Sequence, residues 1–190
     1  MPKLAAFHPQ LTVLMSVYNG ARYLREAVDS ILSQTMPDFE FLIIDDGSTD
    51  ETPDILASYT DRRIRVVRQE NQGLAAALNH GLALAHTDLV ARMDADDVAL
   101  PDRLALQLAE YQRLGRPDVM GTAIEIISET GRAAGIKRFP EDHNIIVHNL
   151  VYGGPTLAHP TALYHRWAVL AHGGYDLALR STEDYDLWLR

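Results

Sequence analysis

From Leu11 to Tyr111 the chain alternates short apolar runs with stretches whose apolar residues recur every three or four positions. No other feature limits the fold as strongly. The runs at Leu11–Val17, Phe39–Ile44, Ile64–Val67 and Leu89–Met93 read as strands. Between them, Leu24, Val28, Ile31 and Leu32, then Leu74, Leu78 and Leu82, then Leu104, Leu108 and Tyr111 keep helical spacing. Ser48 and Glu51 stand at capping-box spacing and predict a helix from there to about Tyr59. Strands alternating with helices build an α/β fold with a mainly parallel central sheet and helices on both faces. Ligands of such sheets gather at the carboxyl ends of the strands. The unusual polar residues sit there: Ser16 and Tyr18, Asp45 and Asp46, then Asp94, Asp96 and Asp97.

The second half is less regular. Asp118–Ile127 reads as a longer strand with Gly121 as a bulge, followed by a turn at Ser128–Gly131 and a helix over Asn144–Tyr152. A short strand at Thr161–Tyr164 and a short helix from near Arg166, ended by Gly173-Gly174, complete the pattern. Residues 1–10 read as an N-terminal extension and residues 11–190 as one domain, in keeping with a chain of 190 residues. An amphipathic helix has only begun at Asp184 when the sequence stops at Arg190, as expected of a piece of a longer protein.

Composition removes several function classes. A net charge of −9 argues against nucleic acid or an anionic membrane as the main partner. It leaves room for an anionic ligand held through a bridging cation. The chain has no cysteine, so disulfides and thiolate metal sites are excluded. No apolar run approaches the length of a spanning helix, so no transmembrane segment is expected, and Met1–Gln10 lacks a signal-peptide core.

The carboxylates of Asp94, Asp96 and Asp97 follow directly on a strand. Strand alternation places Asp94 and Asp96 on one face and Asp97 on the other. Carboxylates so crowded resist joint ionisation. A hard divalent cation, Mg²⁺ or Mn²⁺, removes the repulsion and keeps positions open for phosphate oxygens. The competing reading is a solvated acidic turn before a helix opened by Pro101 and Asp102. Other residues also admit plain readings. Tyr18 fits a buried aromatic at a strand end, and Ser16 a satisfied core hydroxyl. Asp45 and Asp46 fit caps after Gly47, while Glu183 and Asp184 fit acids at a helix start. Arg92 reads as a partner of the aspartates, His159 as structural and Trp188 as core.

Taken together, these segments resemble the catalytic domain of family 2 glycosyltransferases, which have the GT-A fold of nucleotide-diphospho-sugar transferases. The matching residues are Val17-Tyr18-Asn19, Asp45-Asp46-Gly47-Ser48-Thr49-Asp50, Asn71-Gln72-Gly73 and Asp94-Ala95-Asp96-Asp97 with Leu100-Pro101-Asp102-Arg103-Leu104. His159-Pro160-Thr161, Gly173-Gly174-Tyr175 and Glu183-Asp184-Tyr185-Asp186-Leu187-Trp188 follow in order.

The resemblance implies transfer of a sugar from a nucleotide-diphosphate donor, a UDP-sugar, to an acceptor hydroxyl with inversion, as in cell-surface polysaccharide or glycan synthesis. It implies that Ser16 and Tyr18 hold the base, that Asp46 accepts the base N–H, and that Asp94 and Asp96 form a D-x-D pair. That pair would hold the ribose and a Mn²⁺ or Mg²⁺ ion, with Asp97 sharing the metal. Asp184 matches the general base of inverting members. The implied partners are the donor and a saccharide or lipid-linked acceptor, and the implied location is the cytoplasm or the inner face of the membrane. One departure stands out: many relatives carry a basic residue after the glycine that opens the third helix, where this chain has Leu74.

Two other classes stay open on the sequence. A metal-dependent phosphohydrolase would place its nucleophilic pair after the first strand, where Ser16-Val17-Tyr18 stands. A non-catalytic nucleotide- or sugar-binding module would bind the donor without turnover. A dinucleotide oxidoreductase is disfavoured, since no G-x-G-x-x-G follows the first strand.

Overall fold

A computed structural model describes residues 8–190. Residues 1–7, most of the expected N-terminal extension, lie outside the described residues. The central sheet has six strands in the order β3-β2-β1-β4-β8-β5. β1 (Leu11–Val17), β2 (Phe39–Asp45), β3 (Ile64–Arg68) and β4 (Leu89–Asp94) run parallel. β8 (Leu163–His165) is antiparallel to β4, and β5 (Val119–Met120) is antiparallel to β8. Every residue of β1 and β2 is buried, which is why both read as continuous apolar runs.

Alternation along the strands divides the core into two layers. Val13, Met15, Ile43 and Met93 point to one face and pack with Leu24, Val28, Ile31, Ile55, Leu56, Leu104 and Tyr111. Those residues belong to α1 (Ala21–Leu32), α2 (Thr52–Ala57) and α4 (Arg103–Arg113). Leu14, Leu42 and Val90 point to the other face, against Leu78, Leu82, Val169 and Leu187 of α3 (Leu74–Leu84), α6 (Arg166–Ala171) and α7 (Glu183–Leu189). Burying each such aliphatic side chain is worth about 1.5–3 kcal/mol.

Four local expectations are corrected. The capping box at Ser48 and Glu51 does not form: α2 starts at Thr52, with Pro53 in its first turn and no side-chain cap. The Ser48 hydroxyl is engaged elsewhere, accepting the amide of Asn19 at 3.0 Å. The long strand over residues 118–127 divides in two. Its first part is β5, while β6 (Ile124–Ile127) pairs with β7 (Ala133–Lys137) in a separate hairpin around the expected turn. Gly121 is no bulge but a close approach, where a Cβ would come within 3.1 Å of Leu157 and Thr161. The short strand expected at Thr161–Tyr164 starts two residues later, because His159–Thr161 forms a single 3-10 turn. The helix expected from Asn144 is present as α5 (His143–Tyr152), capped by Asp142. Among the described residues, no helix is long and apolar enough to cross a membrane.

Candidate active site

Parallel register brings the polar strand ends together. Ser16 stands opposite Ile44 on β2 and Asp94 on β4, and Val17 stands opposite Asp45. The loop after β1 is tied to the loop after β2 by a set of short bonds. Asn19, at φ 51°, turns the chain, and its Oδ1 accepts the amides of Thr49 at 2.8 Å and Asp50 at 3.4 Å. Gly20 N donates to Thr52 Oγ1, and Ala21 N to Asp50 Oδ2. Asn19, Ser48, Asp50 and Thr52 therefore lock the two loops into one surface at the carboxyl end of the sheet. Ser16 is buried beneath it, while Tyr18 is 53% exposed, which removes the buried-aromatic reading.

Asp46 follows β2 and is 2% exposed. Its Oδ1 accepts Gln69 Nε2 at 2.7 Å and Gln72 N at 3.0 Å, and its Oδ2 accepts Gly73 N at 2.8 Å. It thus orders the loop into α3 rather than capping the helix after Gly47, and a carboxylate suits the positive end of α3. Gln69 in turn pairs with His80 Nδ1 at 2.6 Å. Asp45 closes its own turn by accepting Ser48 N at 2.9 Å and pairs with Arg68.

The aspartate cluster differs in detail from a strand-end face. β4 ends at Asp94, and Ala95-Asp96 turn away, so strict alternation stops there. Asp96 and Asp97 are exposed. Among the described residues no three His, Cys, Asp or Glu side chains converge as a ready metal cage, so the three aspartates do not form one on their own. The donor set still suits a hard cation that takes part of its shell from phosphate and water. Desolvation, and then the charges of Asp94 and Asp96, push the Asp97 carboxyl above its ordinary range. A cation relieves that repulsion. Two guanidinium groups flank the cluster. Arg92 pairs with Asp94. Arg103, its pKa lowered by burial to about 10, donates to the carbonyls of Arg92 and Pro160 at 2.6 and 2.9 Å.

Asp184 lies in the first turn of α7, half-buried, with Oδ1 accepting Tyr185 N at 2.7 Å. Beside it runs a buried polar cluster. His159 Nε2 meets Tyr175 Oη at 2.9 Å, and Tyr164 Oη lies 3.4 Å from the same oxygen. Burial first, and the charge of Arg92 second, lower the His159 pKa to about 2. The Tyr175 phenol is pushed up by burial, then by Tyr164, with Asp184 adding to the shift and Arg92 opposing it. Asn79 of α3 fixes that cluster: its Oδ1 accepts Tyr175 N and its Nδ2 donates to Tyr175 O, each at 2.8 Å.

Sequence reasoning missed Gln69, Asn79 and Arg103 as parts of this site. Arg103 stood inside a quoted motif without an assigned role, whereas Gln69 gave no signal. A cavity of about 490 Å³ lined by His86, Tyr111, Arg116 and His165 lies at the amino ends of the strands, away from the aspartates. Charge and register, not cavity volume, locate the candidate site.

Comparison with known proteins gives the family and the fold. Glycosyl transferase family 2 matches residues 12–171. The O-antigen biosynthesis glycosyltransferase WbnJ of Escherichia coli is 37% identical over 183 residues, which cover 95% of this chain and 70% of WbnJ. The uncharacterized glycosyltransferase RP339 of Rickettsia prowazekii is 32% identical over 199 residues, covering 97% of this chain and 59% of RP339. S. aureus TarS in complex with UDP-GlcNAc superposes with a TM-score of 0.73 at 23% identity, covering 94% of this chain and 52% of TarS. Mannosyltransferase PcManGT from Pyrobaculum calidifontis, in complex with GDP-Man and Mn²⁺, superposes at 0.68 with 25% identity, covering 96% of this chain and 51% of PcManGT. The chain thus spans about half to 70% of these relatives' length. With its parallel sheet, covered faces and polar strand ends, the chain has the GT-A fold and belongs to glycosyl transferase family 2.

Proposed function

We propose that the chain moves a sugar from a nucleotide-diphosphate donor, a UDP-sugar, to an acceptor hydroxyl with inversion, in the assembly of a cell-surface polysaccharide. The observation that carries this reading is the register of Ser16 with Asp94 at the carboxyl end of the sheet, with Asp96 and Asp97 directly after it. The complexes of TarS with UDP-GlcNAc and of PcManGT with GDP-Man and Mn²⁺ support the donor class and the cation. The name of WbnJ supports a polysaccharide product.

In this reading Tyr18 stacks on the base and Ser16 offers a polar contact. Asp46 shapes the base pocket through the loop it orders, and its Oδ2 retains capacity to accept the base N–H. Asp94 and Asp96 hold a Mn²⁺ or Mg²⁺ ion, and Asp97 shares the charge. The ion supplies positive charge to the diphosphate as it leaves, which stabilises the transition state more than the ground state. Asp184 takes the proton of the acceptor hydroxyl as the new bond forms, a contribution on the order of 10²–10⁴ in rate. One carboxylate on the side opposite the leaving group suffices for a single in-line displacement.

Thermal shift with uridine diphosphate tests the reading. Mn²⁺ is expected to add to the stabilisation seen with a chelator, up to about 2.7 kcal/mol at a hundred times the dissociation constant. Asp96→Ala is expected to erase the increment. Equal stabilisation with and without cation overturns the donor-site assignment.

A further inference from the structure

We propose that Arg92 is a positioning residue of the donor site: it holds Asp94 by Oδ1 so that Oδ2 is presented to the cation and diphosphate of the donor. The proposal rests on the reading of Asp94 and Asp96 as donor carboxylates. Arg92 is 1% exposed. It shares a face of β4 with Val90 and Asp94, two residues to either side. Its Nη1 meets Asp94 Oδ1, and among the described residues no hydrogen bond reaches Asp94 Oδ2. The Asp94 side chain remains 34% exposed at the last position of the strand. One oxygen is therefore anchored to a fixed charge while the other is left without a hydrogen bond on a partly exposed side chain.

Packing alone does not account for a guanidinium here. Arg92 Nε is buried without a partner, a cost that an apolar side chain of similar volume avoids. The strand that carries Arg92 is itself braced, because Arg103 donates to the Arg92 carbonyl and to the Pro160 carbonyl in the turn before β8. An unanchored carboxylate at a strand end samples several rotamers, and ordering it would weaken donor binding. Outer partners that orient a ligating carboxylate serve to avoid that loss. Asp96 is exposed and has no such partner among the described residues, which leaves its rotamer unfixed.

Calorimetry of uridine diphosphate binding, in Mn²⁺ and in chelator, tests this on the whole chain. Arg92→Met, folded by circular dichroism, is expected to bind about 10–100-fold more weakly in Mn²⁺. Its binding in chelator is expected to match the unmodified chain, whereas a merely structural arginine would weaken both alike. Arg92→Lys, which keeps a charged donor, is expected to recover part of the loss. Arg92→Gln is shorter but polar and uncharged, and takes the place of Arg92→Met where that variant does not fold. Undiminished Mn²⁺-dependent affinity in the uncharged variant overturns the proposal. Asp96→Ala separates the two readings, since its retention of Mn²⁺-dependent binding overturns the donor site itself and the role of Arg92 with it.

Discussion

The Asp46 carboxylate accepts the Gly73 amide at 2.8 Å, joining the end of β2 to the residue that opens α3. With Gln69 and Gln72 on its other oxygen, Asp46 holds the loop between β3 and α3 in place at the carboxyl end of the sheet. In the proposed reading one residue therefore combines a structural and a binding role. Asp46→Ala leaves partly buried donors unpaired and is expected to cost about 2–3 kcal/mol. For a chain of this size that is a fall of about 4–12 °C in Tm. Nucleotide affinity is expected to fall as well. A variant with unchanged Tm would show that the three bonds contribute nothing to folding.

Asp184→Asn separates chemistry from binding. The amide keeps the size of the side chain and can still accept Tyr185 N, but it takes no proton at neutral pH. Turnover is expected to drop by about two orders of magnitude or more, with donor affinity unchanged. A loss of donor affinity would instead place Asp184 at the nucleotide, and undiminished turnover would place the base elsewhere.

β1, β2 and β4 were legible because they are buried on both sides and so read as mainly apolar runs, and β3, only partly buried, because Ile64, Val66 and Val67 cluster in five residues. Ser16, Asp46 and Asp94 were legible as site candidates because they interrupt those runs where the strands end. What the residues do to one another was not legible. Asp46 bonds partners 23 to 27 positions away, and Asn79 bonds Tyr175 across 96. No local pattern encodes such pairs. Ser48 matched a local helix-start pattern, yet its hydroxyl serves Asn19 across two loops. β7 was missed because Ala133-Ala134-Gly135 buries nothing and so shows no strand alternation.

The Gly173-Gly174 pair offers an internal comparison. Both residues adopt positive φ, 87° and 71°, so an alanine at either carries a left-handed strain of about 1–2 kcal/mol. At Gly174 a Cβ would also lie 2.5 Å from Asn79 Oδ1, whereas at Gly173 the nearest group is Arg190 Nη1 at 3.5 Å. Gly174→Ala is therefore expected to displace Asn79 from Tyr175 and to lose about 1–3 kcal/mol more than Gly173→Ala. Denaturant midpoints of the two variants decide it. Equal losses would mean that the Asn79 clamp is dispensable.

His159 gives the fold a dependence on pH with a definite sign. Burial and the nearby charge of Arg92 hold its pKa at about 2, against an ordinary value of 6.5 in the unfolded chain. The unfolded chain therefore takes up a proton below pH 6.5 that the folded chain refuses, and stability falls as pH falls through that window. The loss is about 1.4 kcal/mol at pH 5.5 and grows by about the same amount per further pH unit, until the folded ring titrates too. His159→Gln removes the titrating group while keeping a partner for Tyr175 Oη. Between pH 7.5 and 5.5 its Tm is expected to fall about 3–6 °C less than that of the unmodified chain. Parallel Tm curves for the two proteins would show that His159 accepts a proton in the folded state as readily as in the unfolded one.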